Sequence, residues 1–339
     1  MNAAAGGGED EQWMAEAVAA GQSVRTTTSP NPWVGAVLVP EGDAPAAIGA
    51  TQPPGGPHAE RVALQLAGDT ARGGTLYVTL EPCSHFGRTP PCADAVIEAG
   101  VRRVVVAVED PDRHVAGQGI RRLRAAGVEV EVGVGAAAAR DSLAPYLKQR
   151  STGRPWVVLK LAATLDGRIA APDGTSRWIT GPLARLDVQQ LRAESDAIAV
   201  GAGTVRADNP ALILRPAPGQ PPAGRQPLRV VLGSVPDGAA VAPALEHHGT
   251  LEALLDELGR RDVLQLLVEG GAHVAHDLHA AGLVDRYVVY VAPALLGGDD
   301  GVPLLAGPGA PTMADVWRGR LVGVTRLGDD VRLDVAPSR

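Results

Sequence analysis

Short apolar runs alternate with stretches of helical periodicity along nearly the whole chain. In the first half, V-G-A-V-L-V (34–39), T-L-Y-V-T-L (75–80), R-V-V-V-A-V (103–108) and V-E-V-E-V (128–132) read as strands, with another near 46–51. Helices are expected over Gln12–Ala20, Ala59–Ala67, Cys92–Ala99, Gln118–Ala126 and Ala136–Lys148, the first and third ended by Gly21 and Gly100. Pro30 and Pro32 bar helix from S-P-N-P-W and force an extended turn. Two strands followed by alternating helix and strand predict a three-layer α/β/α domain. Its site should lie in the loops at the carboxyl ends of the strands.

A second series begins after S-T-G-R-P (151–155), which reads as a linker. Strands are expected at 155–164, 196–201, 228–232, 263–268 and 284–293, and two more near 321–326 and 330–335 close the chain. Pro182–Glu194 and Leu251–Leu258 read as helices, and a third starts at about Ala272. Residues 215–227, rich in Pro, Gly and Arg, read as a surface loop. The expected organisation is a flexible leader over 1–11, one α/β domain over 12–150 and another over 155–339.

Composition narrows the field. Of 339 residues 45% are hydrophobic but only 3% aromatic, so Val, Ala and Leu must fill the interior. A net charge of −7 disfavours a general nucleic-acid or anionic-membrane binder, and an anionic substrate would need local Arg or Lys. The N-terminus has neither the basic nor the apolar segment of a secretory signal, and no apolar run is long enough to span a bilayer. With only two cysteines and no such signal, reduced thiols in the cytoplasm are expected. Apolar strands at the domain edges suggest a homo-oligomer, a dimer or tetramer.

The chemistry concentrates between His58 and Cys92, where H-A-E (58–60) is followed by P-C-S-H-F-G-R-T-P-P-C (82–92). His58, Cys83 and Cys92 are soft ligands, and the cysteines stand beside prolines at or near a helix start. A helix N-terminus favours the thiolate that zinc takes. Three protein ligands leave the fourth position open for water, as in catalytic zinc sites. Glu60 is then free to move a proton from that water to a leaving amine. A closed structural site with His85 as fourth ligand is the alternative, and it predicts loss of metal on replacing His85. In the second half, V-E-G-G-A (268–272) places two glycines between a strand and a helix N-terminus, where a phosphate can approach; the alternative is a tight turn with a cap. G-A-G-T-V-R (201–206) lacks the third glycine of a dinucleotide fingerprint and reads as a strand-to-helix turn.

H-A-E, E-P-C-S-H-F-G-R-T-P-P-C and T-S-P-N-P-W-V-G-A-V (28–37) closely resemble the deaminase half of the bifunctional riboflavin-biosynthesis deaminase/reductase family. L-K-L-A-A-T-L-D-G-R-I-A, S-R-W-I-T-G, L-R-A-E-S-D-A-I-A-V-G-A-G-T-V-R-A-D-N-P-A-L, V-E-G-G and L-V-D-R-Y-V-V-Y-V-A-P-A-L-L-G-G are similar to its reductase half, in the same order. The resemblance implies a cytidine-deaminase-like domain joined to a dihydrofolate-reductase-like one, with one zinc ion and NADPH as cofactors. It implies a small phosphorylated pyrimidine as substrate, deaminated first and then reduced at the ribosyl carbon. By motif, Asn31 would bond the pyrimidine and Arg88 would help hold the phosphate. NADPH would contact Ala162, Trp178, Thr204, Asp208, Ser234 and the turn of Gly271, Ala272, His273, Val274, Ala275, His276 and Asp277. Ser176, Arg192, Leu212, Arg215 and Glu269 would face the ribosyl substrate, with Lys160 and Thr180 in the same cleft. The chain departs from the family at Thr51, where a histidine is common, and at Asp112, where an asparagine is. A rival reading is a zinc deaminase of a nucleoside or base, with a non-catalytic binding module as its second half.

Overall fold

The computed structural model describes residues 6–84, 91–113, 115–215 and 225–338. The chain divides between Gly153 and Arg154 into two compact units. No helix among the described residues is long and apolar enough to cross a membrane.

The first unit runs α1 (Gly6–Ser23), α2 (Arg25–Thr28), β1 (Gly35–Val39), β2 (Ala47–Ala50), α3 (Ala59–Ala67), β3 (Thr75–Val78), α4 (Cys92–Glu98), β4 (Arg103–Val106), α5 (Gln118–Ala125), β5 (Glu129–Val132), α6 (Ala136–Ser142) and α7 (Ala144–Thr152). Its sheet has the order β2-β1-β3-β4-β5, with β1 antiparallel to both neighbours and β3, β4 and β5 parallel. Gly35 pairs with Ala50 and Ala36 with Gly49, so the two glycines point to opposite faces. A Cβ on Gly35 would collide with the Ala17 carbonyl of α1, and one on Gly49 with the Ala59 carbonyl of α3. Each glycine therefore lets one helix settle onto one face, which produces the three layers.

Two expectations fail here. Residues 6–11 are not a loose leader but the first turns of α1. Asp10 is buried, accepts from Arg103 at 2.9 and 2.8 Å and from the Tyr77 hydroxyl at 2.7 Å, and so is held below the usual carboxylate range. Its counter-charge comes from β4 and its hydroxyl partner from β3, which no local pattern reveals. The helix expected over Ala136–Lys148 is two helices, because Pro145 has no N–H to give the Asp141 carbonyl and the chain restarts at Ala144. α7 then continues through Ser151 and Thr152, the first half of the expected linker, to a left-handed Gly153 (φ 74°).

The second unit comprises β6 (Trp156–Thr164), β7 (Arg168–Ala170), α8 (Pro182–Ala193), β8 (Ala197–Gly201), α9 (Ala202–Asp208), β9 (Leu228–Leu232), β10 (Leu245–His247), α10 (Leu251–Arg260), β11 (Gln265–Val268), α11 (Ala272–Ala280), β12 (Arg286–Ala292), β13 (Val302–Pro303), β14 (Gly319–Leu327) and β15 (Asp330–Pro337). The main sheet has the order β10-β9-β8-β11-β6-β12-β15-β14, parallel from β10 to β12 and antiparallel beyond, and β7 pairs with β13 separately. Strand alternation sorts the core into two layers. Val157, Leu159 and Leu161 pack with Leu254, Leu255 and Leu258 of α10 and Ala275 and Leu278 of α11. Val158 and Ala162 face the other side, with Ala184 and Leu191 of α8 and Val205 of α9. Lys160 shares their parity and so lies on the α8 face.

Candidate active sites

The metal-binding atoms are delivered by two helix starts. His58 is the N-cap of α3 and Glu60 lies in its first turn, while Cys92 opens α4. Cys83 sits in the loop after β3 but also meets the α4 N-terminus. Its carbonyl accepts from the Ala93 N–H at 3.1 Å, and its Sγ from the Cys92 N–H at 3.3 Å. His58 Nδ1 lies 3.7 Å from Cys83 Sγ and 3.4 Å from Cys92 Sγ, and the three donor atoms all fall within 4.8 Å of one another. Corners of a tetrahedron around zinc, at bond lengths of 2.0–2.3 Å, are roughly 3.5–3.8 Å apart. The donors fit the ion.

The electrostatics agree. Cys83 is drawn well below the usual thiol range by hydrogen bonding from the Cys92 thiol, His58 and the Cys92 N–H, against burial. Cys92 is pushed far above the usual thiol range by its hydrogen bond to Cys83 and by burial, and a bound metal would favour the thiolate of both. His58 is raised by its bond to Cys83 against the effect of burial. Glu60 is buried and pushed up to about 7 by loss of solvation, opposed by His58. A carboxyl of that kind can hold a proton at neutral pH and release it again.

A cleft of about 450 Å³ opens onto His58, Glu60 and Cys83. Asn31 lines it, on the turn whose backbone bond from Asn31 N–H to the Thr28 carbonyl is 2.9 Å. Thr51 lines it too, but its hydroxyl is engaged with the Val34 backbone at 3.2 and 3.3 Å. Arg88 and His85 lie outside the described residues. The lining also includes groups that sequence reasoning did not single out: Glu81, Asp110, Tyr146 and Arg150. The Glu81 carboxylate accepts from the backbone N–H groups of Asp110 (3.3 Å), Gly117 (2.9 Å), Gly119 (2.8 Å) and Ile120 (3.2 Å). Because Pro82 also packs directly on Gly119, the loop carrying Cys83 is bolted to the start of α5. Only E-P-C itself hinted at this. Asp110 is pushed up to about 6 by burial, although the Asp112 N–H and the Tyr146 hydroxyl (3.0 and 3.3 Å) favour its charge.

In the second unit the candidates gather at the carboxyl ends of parallel strands. A Cβ on Gly271 would lie 3.3 Å from Thr204 Oγ1, one on Gly201 2.9 Å from Val274, and one on Gly233 3.1 Å from Ala202. The starts of α9 and α11 and the end of β9, with exposed Ser234 after it, therefore converge. Ala272 and Ala275 are buried and Val274 packs against Gly201 and Gly270, so their side chains serve packing. What Gly271, Ala272 and His273 offer outward is the N-terminal N–H edge of α11. His276 Nε2 bonds the Pro308 carbonyl at 3.1 Å, and Nδ1 lies 3.4 Å from Asp277. Asp208 ends α9, its carbonyl accepting from Arg177 at 2.6 Å, and Trp178 is 70% exposed between Arg177 and Arg185.

The substrate candidates split. Arg192, in the last turn of α8, makes a two-point pair with Glu269 at 2.6 and 2.9 Å. Burial works to raise Glu269, but Arg192 and then Lys160 hold it below its ordinary value. Lys160 is lowered by burial, against the pull of Glu269, and its ammonium lies 5.9 Å from the Tyr290 ring centre. These three belong together. Leu212 is a core residue at φ 49°, packed in the α8 layer. Arg215 is exposed and its backbone N–H bonds Gln189 at 3.0 Å, while the Thr180 carbonyl accepts from Arg185 at 2.7 Å. Ser176 and Ala162 are half-buried, the first on the loop before α8 and the second in β6.

Comparison with known proteins follows the same division. Residues 8–108 match the family model for the cytidine and deoxycytidylate deaminase zinc-binding region, and residues 155–333 match that for the RibD C-terminal domain. The class is thus a zinc-binding deaminase region joined to a RibD-type reductase domain. The riboflavin biosynthesis protein RibD of Escherichia coli K12 is 41% identical, covering 96% of this chain and 98% of that protein. Its Mycobacterium tuberculosis H37Rv counterpart is 42% identical over 96% of each. Among solved structures, Acinetobacter baumannii RibD superposes with a TM-score of 0.90 at 38% identity, covering 98% of this chain and 99% of that one. A Thermotoga maritima deaminase/reductase superposes at 0.86 and 32% identity, covering 98% and 100%. The chain belongs to the RibD family of riboflavin-biosynthesis deaminase/reductases.

Proposed function

We propose that the chain catalyses two consecutive steps of riboflavin biosynthesis. The first unit hydrolytically deaminates the diamino-pyrimidinone ribosyl phosphate, and the second reduces the ribosyl group of the product with NADPH. The carrying observation is a complete His/Cys/Cys donor set closing on a buried carboxyl, in a chain related over nearly its full length to RibD.

His58, Cys83 and Cys92 would hold zinc, which when bound supplies the Lewis acidity that makes water a nucleophile at neutral pH. Glu60 takes a proton from the attacking water and passes it to the exocyclic amine, which leaves as ammonia. The burial that raises Glu60 lets it keep the proton between those two events. Asn31, on the cleft wall, orients the pyrimidine, and Arg88 is assigned to the phosphate by motif. In the second unit NADPH supplies the hydride. The N–H edge at Gly271–His273, with Thr204, Asp208, Ser234 and Trp178, binds and orients that cofactor. Lys160, Arg192 and Glu269 position the ribosyl group and polarise it.

Ammonia release and loss of nicotinamide absorbance, followed together with the diamino substrate and NADPH, test the reading. Ammonia without NADPH oxidation would favour a simple base deaminase instead. The acidic balance and reduced thiols support a cytoplasmic enzyme. Leu321 (56% exposed) and Val324 (60%) on edge strand β14 support self-association through the second unit.

A further inference from the structure

The cleft of the first unit has an unusual charge balance for an enzyme whose substrate carries a phosphate. Among its described lining residues are four carboxyls, Glu60, Glu81, Asp110 and Asp112. Apart from the ligand His58, the one cationic side chain is Arg150. We propose that Arg150, held by Asp112 and Tyr146, takes the phosphate of the deaminase substrate alongside Arg88, which lies outside the described residues, and adds to the deaminase's selectivity for phosphorylated compounds. The inference rests on the deaminase reading above and adds a residue that contributes to its specificity.

Arg150 lines the same cleft as Glu60 and the ligands His58 and Cys83, beside Asp110, Asp112 and Tyr146. With the amine-bearing ring carbon at Glu60 and the metal ligands, the phosphate, at the other end of the ribose, needs a cationic group elsewhere on the cleft wall. On that wall the Arg150 guanidinium carbon lies 5.3 Å over the Tyr146 ring, and Nε is 3.8 Å from Asp112 Oδ2, both charged side chains being 25% exposed. An aromatic face on one side and a carboxylate on another restrain a planar fork suited to phosphate oxygens. The neighbouring acids are muted. Glu81 is saturated by four backbone N–H groups, and the raised Asp110 carries part of a proton near neutrality.

This arrangement also accounts for Asp112, an acid where the family commonly has asparagine. Beside Arg150 the carboxylate neutralises and orients a guanidinium. The match to the zinc-binding region ends at residue 108. Asp110, Asp112, Tyr146 and Arg150 all lie beyond it.

The test is deaminase kinetics of the zinc-loaded full chain on the ribosyl phosphate and on its dephosphorylated counterpart, for wild type, Arg150→Ala and Arg150→Lys. A charge-assisted contact of this kind is worth about tenfold to a hundredfold in affinity. Arg150→Ala should raise KM for the phosphorylated substrate by that factor, with kcat little changed and the loss confined to that substrate. Arg150→Lys, which keeps the charge without the fork, should fall between. Zinc content measured on the same samples should not change. An equal loss on both substrates would make Arg150 merely structural, and no loss on either would refute the assignment outright. If wild type released no ammonia from either substrate, the deaminase reading itself would fall, and this inference with it.

Discussion

In the first unit the metal-binding atoms already stand at ligand spacing, whereas in the second the charged groups proposed to meet the sugar are engaged with one another. His58, Cys83 and Cys92 converge because two helix N-termini and one bolted loop leave them little choice. Arg192 and Glu269 instead form a closed two-point pair that a polar ligand must share or open. Hydrolysis needs a fixed point for water and a fixed proton carrier. Hydride transfer needs a cleft that admits a large cofactor beside a sugar, and groups that exchange partners suit that task. The exposed Trp178 fits the same contrast.

The largest break in this comparison should come from Glu60→Gln. Ammonia release is expected to fall by about 10²–10⁴-fold, the usual worth of a general acid–base group, while NADPH oxidation on pre-deaminated substrate is untouched. Joint loss of both activities in a folded protein would mean that the sites are not separate. In the second unit, Arg192→Ala leaves Glu269 buried without its main partner and should cost about 3–5 kcal/mol of stability. Arg192→Ala/Glu269→Ala should cost less than that single change. A double-mutant cycle in urea checks this, and additive costs would deny the coupling.

Glu81→Ala sharpens the picture of the prebuilt site. Stranding the buried N–H groups of Gly117 and Gly119 should remove about 3 kcal/mol from the first unit and weaken zinc retention against a chelator. Unchanged retention would show that the Cys83 loop does not need its bolt. The smallest effect concerns acid. Asp110 is raised from 3.8 to about 6, so the folded state binds its proton more readily than the unfolded chain. Stability from this group is therefore greatest below about pH 4 and is lost as pH rises through about 6, by at most about 3 kcal/mol. Glu269, held low, acts in the opposite sense: its contribution is present at neutral pH and is lost on acidification. Asp110→Asn should flatten the pH 4–6 dependence of the first unit's melting temperature, and an unaltered slope would place that dependence on other groups.

What the sequence disclosed follows from locality. H-A-E at a helix start and cysteines pinned by prolines carry their meaning within a few residues, and the alternation of strands and helices carries the layers. Part of the cleft lining was not legible, because Tyr146 and Arg150 arrive on a helix beyond β5 and meet Asp110 and Asp112 only in three dimensions. Asp10 falls within the expected flexible leader for the same reason, since its partners Tyr77 and Arg103 are distant in sequence. Resemblance alone could not separate Leu212, a core residue, from Arg192, or the inward side chains of Ala272 and Ala275 from the N–H groups beside them. Those distinctions depend on which face of a helix meets the sheet.

The course of α7 has a consequence for how the two activities can be parted. The helix carries Arg150 and ends at Thr152, one residue before the border between the compact units. A deaminase severed where its zinc-binding region stops would retain the metal ligands and lose one side of its cleft. Cut after Gly153, it would keep both. The seam between two enzymes in one polypeptide thus lies at the end of a helix that the first still uses, so splitting them into free-standing proteins leaves almost no latitude in where to divide the gene.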